Sequence, residues 1–166
     1  MNWLGSFAAL AILSAGSADA LACRRIPPVV IPSNSELAAR SELVFIARIE
    51  GVLPLGAADE ELLRSGFANV PMNTPIRVPT ASTEFSVVRS LKGAPLVHAR
   101  IESATTSCGT ILEDGSEYLV FANNPASADA EIVPLSGTFQ LDGSQQAQAS
   151  LAEVESSLSF PHSVQP

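Results

Sequence analysis

Between Leu43 and Leu53 the chain alternates, with Leu43, Phe45, Ala47 and Ile49 on one side and Arg48 and Glu50 on the other. A period of two predicts a half-buried strand. The pattern recurs at Thr83–Leu91, where Phe85, Val87 and Leu91 would point inward before the turn Lys92-Gly93. It recurs again at Leu96–Ser103, with Val97, Ala99 and Ile101 set against His98, Arg100 and Glu102. Asp114-Gly115 is a hairpin-turn signal. After it, Glu117–Ala122 is apolar on both faces, the signature of a central strand. Ala130–Leu135 predicts a fifth strand, which Thr138–Leu141 would extend.

Helical spacing appears twice at the margins. Ser33-Asn34-Ser35 supplies N-cap chemistry for a short helix through Arg40. Toward the C-terminus, Gln146–Leu158 places Ala147, Leu151, Val154 and Leu158 on one helical face, predicting a helix laid on the sheet. Residues 54–81 interrupt the strands with a helical turn at Asp59–Arg64, stopped by Gly66, and then Pro71, Pro75 and Pro79. A connection this long inside a compact domain is functional or mobile. Five short strands, a long first connection and peripheral helices predict an all-β fold with flanking helices. The expected architecture is a five-stranded Greek-key barrel of the OB-fold type with short N-terminal and C-terminal helices. A two-sheet sandwich is the alternative.

The first 22 residues read differently. Trp3–Ala15 is apolar and uncharged, and Ala20-Leu21-Ala22 follows. This pattern predicts a secretory signal peptide with an A-x-A cut, too short for a membrane anchor. The expected organisation is a leader over 1–22, one domain over 23–158 and a flexible tail over 159–166. Cleavage would make Cys23 the first residue of a secreted, periplasmic or extracellular protein. A cysteine at the cleavage point also admits a lipid anchor on Cys23, although Leu21 is a poor lipidation signal. No later apolar stretch is long enough to span a membrane, so no integral span is expected. Net charge is −8 and the isoelectric point about 4.6, which argues against a nucleic-acid partner. Cys23 and Cys108 are the two cysteines. In an oxidising compartment they would form one bridge or remain two free thiols. Closing so long a loop would stabilise the fold by about 4 kcal/mol.

Catalytic signatures are absent. There is no H-E-x-x-H, G-x-S-x-G, Walker-type phosphate loop or EF-hand loop in the chain. His98 falls on the polar side of its strand, and His162 lies in a proline-flanked tail. A Cys108/His98 nucleophile would need a free thiolate. Glu60-Glu61 and Glu113-Asp114 read as solvated turns. The expectation is a non-enzymatic protein with no cofactor and no metal of its own.

Four stretches in order resemble the N-terminal, netrin-like domain of the tissue inhibitors of metalloproteinases. They are Cys23-Arg24-Arg25-Ile26-Pro27-Pro28, Ser41–Arg48, Phe85–Gly93, and Thr106-Ser107-Cys108-Gly109 with Tyr118–Ala122 after it. The resemblance spans most of residues 23–141. It implies an OB-fold and a bridge between Cys23 and Cys108. It also implies an inhibitory ridge in which Cys23, Arg24, Thr106 and Ser107 contact a zinc metalloprotease. The terminal α-amine, with a pKa near 8, would reach the open position of the protease's zinc. Arg24 departs from the family's small residue, and Arg25 with Ser136-Gly137-Thr138 stand where its second bridge would be. An envelope or extracellular binding module without inhibitory activity is the alternative function.

Overall fold

The structure is a computed structural model that describes residues 32–66, 78–95, 99–106, 109–127 and 129–159. Three helices, α1 (Asn34–Arg40), α2 (Ala57–Arg64) and α3 (Gln145–Ser159), accompany five strands. The strands are β1 (Leu43–Val52), β2 (Thr80–Lys92), β3 (Ile101–Ala104), β4 (Glu117–Ala122) and β5 (Phe139–Gln140). They form one sheet in the order β3-β2-β1-β4-β5, every neighbouring pair antiparallel. The sheet curls into half a barrel with helices outside it.

Helix α1 starts where the sequence places its cap. The Ser33 hydroxyl accepts from the Glu36 N–H, and the Glu36 carboxylate accepts from the Ser33 N–H at 2.9 Å. This reciprocal box satisfies donors that a helix start leaves open. Those hydrogen bonds, the backbone one foremost, hold the Glu36 carboxyl below its ordinary pKa. At the other end, the Lys92 ammonium donates to the carbonyls of Ala38 and Ala39, each at 2.9 Å. A cation there meets the negative end of the helix dipole and fixes α1 to the end of β2.

The alternation in β1 is real, but both of its faces are covered. Leu43, Phe45, Ala47 and Ile49 enter one core with Ile101, Leu112, Tyr118, Val120, Ala122 and Ile132. Val44 and Ile46 enter a second core with Leu37, Ala38, Leu119, Phe121 and Val154. Only from Arg48 onward does the strand become half-exposed. The half-buried expectation fails for the first five residues because α1 and α3 pack over the outside of the sheet. Within α3, Ala147 and Val154 are buried and Leu151 and Leu158 partly so, as the helical spacing anticipates.

Strand β2 does not keep one phase. Its pairing with β1 shifts between Val44 and Phe45, between Ile46 and Ala47, and between Ile49 and Gly51. Each shift adds one unpaired residue and re-aims the side chains after it. Phe85 therefore packs in the first core, 5.7 Å from the Phe45 ring, while Leu91 packs in the second. Val87, expected inward, is 44% exposed.

The expected fifth strand at Ala130–Leu135 is not a continuous ladder. Ile132 exchanges hydrogen bonds with β3 and its approach, its N–H donating to Arg100 O at 2.7 Å and its O accepting from Glu102 N at 2.9 Å. Three residues on, the Leu135 N–H donates to Phe121 O of β4 at 2.8 Å. Pro134 has no N–H, so the segment cannot run as a regular strand between the two. Residues 131–135 thus bond both β3 and β4, and the separate β5 pairs with β4 at Tyr118 and Leu119. Between these contacts the buried Thr138 hydroxyl accepts from the Phe121 N–H at 3.2 Å.

The ion pairs add little to this. Arg48–Glu117 and Arg100–Glu84 lie at 3.7 and 3.6 Å on side chains more than a third exposed, and Arg89 of β2 pairs with Glu155 of α3 at the surface. Exposed pairs contribute about 0–1 kcal/mol each. Full burial of one side chain such as Ile132 or Phe121 contributes about 1.5–3 kcal/mol. The two cores hold the fold.

Ile132 sits at the centre of the first core with no exposure. Truncating it opens a cavity where residues 131–135 meet β3. Ile132→Ala is expected to lower unfolding free energy by about 3 kcal/mol, measured by urea denaturation. A loss as small as that of a surface substitution would show that this segment is peripheral.

Candidate functional site

The site is built from the end of β3. Along this strand Ile101 and Ser103 face the core and are buried, while Glu102 and Ala104 face outward. The strand ends because the chain folds back on itself: the Ala104 N–H donates to Thr110 O at 2.8 Å. Between them the Thr105 hydroxyl donates to Pro79 O at 2.6 Å, tying the loop to the start of β2. Gly109 donates its N–H to Thr106 O at 3.3 Å. A Cβ at Gly109 would stand 2.7 Å from the Ala104 methyl, so the loop returns this closely only over a glycine. The buried Ser103 hydroxyl accepts from the Leu112 N–H at 2.8 Å and fixes the exit. The result is a short loop clamped at both ends on the rim of the sheet.

Of the expected contact residues, the structure places Thr106 in this loop, half-buried and bonded by Gly109. Cys23, Arg24, Ser107 and Cys108 lie outside the described residues, as do the leader over 1–22, His98, His162 and the tail from 160 onward. The bridge between the two cysteines therefore also falls outside them. Glu60 and Glu61 are exposed on α2, where Glu61 pairs with Arg64. Glu113 and Asp114 are exposed at the Asp114-Gly115 turn, where Gly115 has φ 74°. Among the described residues no group of three His, Cys, Asp or Glu side chains is placed to hold a metal, and no helix is long and apolar enough to cross a membrane.

The sequence reading did not anticipate the surface beside the loop. An open depression is lined by Thr80, Ala104, Gly109, Thr110, Val133 and Pro134, with Glu102 at its edge. Glu102 and Val133 also line a second depression that continues to Asn124, Pro125 and Glu131. Val133, 55% exposed, stands between the two. Its position within an apolar stretch was legible, but its outward direction follows from Ile132 turning inward.

The segment leading from the loop to β4 is anchored by a tyrosine. Tyr118 is buried in the first core, and its hydroxyl accepts from the Glu113 N–H at 3.1 Å. Burial, the largest cause, raises its pKa above the ordinary tyrosine value; the neighbouring Glu113 charge acts in the same direction and the hydrogen bond from Glu113 N–H against it.

No protein-family model matches the chain, and no curated protein matches its sequence.

Two expected outcomes follow from this geometry. Ser103→Ala leaves the Leu112 N–H buried without its acceptor, a loss of about 1–3 kcal/mol. Amide exchange at Thr110 and Leu112 should accelerate more than exchange in β4; equal acceleration everywhere would mean the hydroxyl does not clamp the loop. For Tyr118, the chain's one tyrosine, ultraviolet titration should give a midpoint above that of an unfolded tyrosine. The unfolded phenol ionises near pH 10 while the folded one keeps its proton. Stability is therefore intact below about pH 10 and lost as pH rises from there through the folded value. A midpoint at the ordinary value would contradict the burial argument.

Proposed function

We propose that the chain is a secreted, non-enzymatic interaction protein similar to the metalloproteinase inhibitors, acting through its mature N-terminus and the loop around Thr106. The observation that carries this reading is the clamped return from Ala104 to Thr110. A loop whose two ends are fixed by Thr105, Ser103 and Gly109 at the rim of the sheet would support a bridged Cys23. Rigid presentation lowers the ordering cost of binding. Cys23 would then offer its α-amine to a protease zinc, with Arg24, Thr106 and Ser107 beside it. The protein needs no cofactor for this.

We also read the sheet as an OB-type Greek-key barrel. In the order β3-β2-β1-β4-β5, residues 132–135 bond the terminal β3 and also β4, at Phe121 beyond the stretch that pairs with β5, and this bridging supports closure. Topology of this kind is shared by many unrelated binding proteins, so it supports the fold assignment and leaves the activity to the site.

A second reading is favoured by the depressions around Val133, whose described lining does not include Thr106. In it the chain is an envelope or extracellular binding module, soluble or lipid-anchored at Cys23, with no protease target.

Inhibition of a panel of zinc proteases by the exported chain, and by the same chain carrying one extra N-terminal alanine, separates the two. The inhibitor reading expects inhibition that the added alanine reduces by at least about tenfold, since it displaces the zinc-directed amine. Equal inhibition by both, or none by either, removes the zinc mechanism.

A further inference from the structure

We infer that the outer surface around Val133 docks an extended segment of a partner protein in which a lysine or arginine stands next to a compact apolar side chain. The inference rests on reading the chain as a non-enzymatic interaction protein, but not on its partner being a protease. The two depressions meet at Val133 and share Glu102, so they form one continuous surface along the outside of β3 and residues 131–135. Its floor is apolar, from Ala104, Val133, Pro134 and Leu135. Carboxylates supply its charge. Ser82 pairs across the strands with Glu102, and the Ser82 hydroxyl donates to the Glu131 carboxylate, so both acids lie on the same outward face.

Among the described residues no lysine or arginine lines either depression, and the cation adjacent in sequence, Arg100, pairs with Glu84 at 3.6 Å. Among the described residues the two carboxylates thus meet no cation, only the Ser82 hydroxyl on Glu131. A purely apolar segment would bury these carboxylates without a partner, and a purely cationic one would leave Val133 wet. A segment carrying both chemistries satisfies both, with burial giving affinity and the carboxylates selecting the partner. The same complementarity excludes an anionic occupant.

The test uses the isotope-labelled exported chain and capped hexapeptides that alternate lysine with valine, glutamate with valine, or lysine with serine. The lysine–valine peptide is expected to move the amide resonances of Glu102, Thr110, Glu131 and Val133. The other two should bind at least about tenfold more weakly. Val133→Ser and the pair Glu102→Gln with Glu131→Gln should each weaken binding about tenfold, with resonances remote from the surface unmoved. Val133→Thr serves where Val133→Ser disturbs the fold. Glu60→Gln with Glu61→Gln on α2 should leave binding unchanged. The inference is overturned if the lysine–serine peptide binds equally, if the shifts spread to α2, or if the Val133 variants bind like the parent. Protease inhibition without this binding would leave the inhibitor reading standing alone. Binding without protease inhibition would do the reverse.

Discussion

A curled sheet ends in two strand edges, and each edge carries backbone donors and acceptors that must be paired or hydrated. In this protein residues 132–135 bond the β3 edge and the part of β4 that β5 leaves unpaired. Ile132 exchanges two hydrogen bonds beside β3, and Leu135 donates one to β4. Because side chains alternate, burying Ile132 sends Glu131 and Val133 outward. The outer surface and the inner core are therefore set by the same few bonds.

The sheet separates two cores of different character. The inner one is a closed set of strand side chains around Phe45, Ile101 and Ile132, with Tyr118 contributing its ring and anchoring the Glu113 amide. The outer one exists only because α1 and α3 cover β1 and β4. Polar contacts at the helix ends fix that cover. Lys92 holds the α1 carbonyls, and Glu153 of α3 accepts from Asn34 and Ser35 of α1. Bulges in β2 let a single strand contribute Phe85 to one core and Leu91 to the other.

The proposed readings place function on what the rim and outer face present. The clamped loop around Thr106 is a candidate rigid contact, and the Val133 surface beside it offers apolar area edged by carboxylates. Both readings describe recognition rather than turnover. They differ in whether the mature N-terminus or the face of the sheet meets the partner, and the two surfaces adjoin at Gly109 and Thr110.

Several elements were legible in the sequence because their causes are local. Ser33 and Glu36 announce α1, the spacing of Ala147, Leu151, Val154 and Leu158 announces α3, and the doubly apolar run Tyr118–Ala122 announces a buried strand. The inward set of β1 was also correct. What alternation could not reveal was that Val44 and Ile46 are equally buried, since a helix from elsewhere in the chain covers them. Nor could it show that Val87 stays exposed although it pairs with the buried Ala47, because cover for that position depends on segments elsewhere in the chain. Residues 130–135 read as a strand and instead bridge two, a role fixed only when β3 and β4 come within bonding distance. The sequence by itself determined β1, β2, β4, α1 and α3 as strand or helix, through side-chain period and capping chemistry. Tertiary structure alone decided which face each side chain meets and where charge gathers beside Val133, because those depend on contacts between segments far apart in the chain.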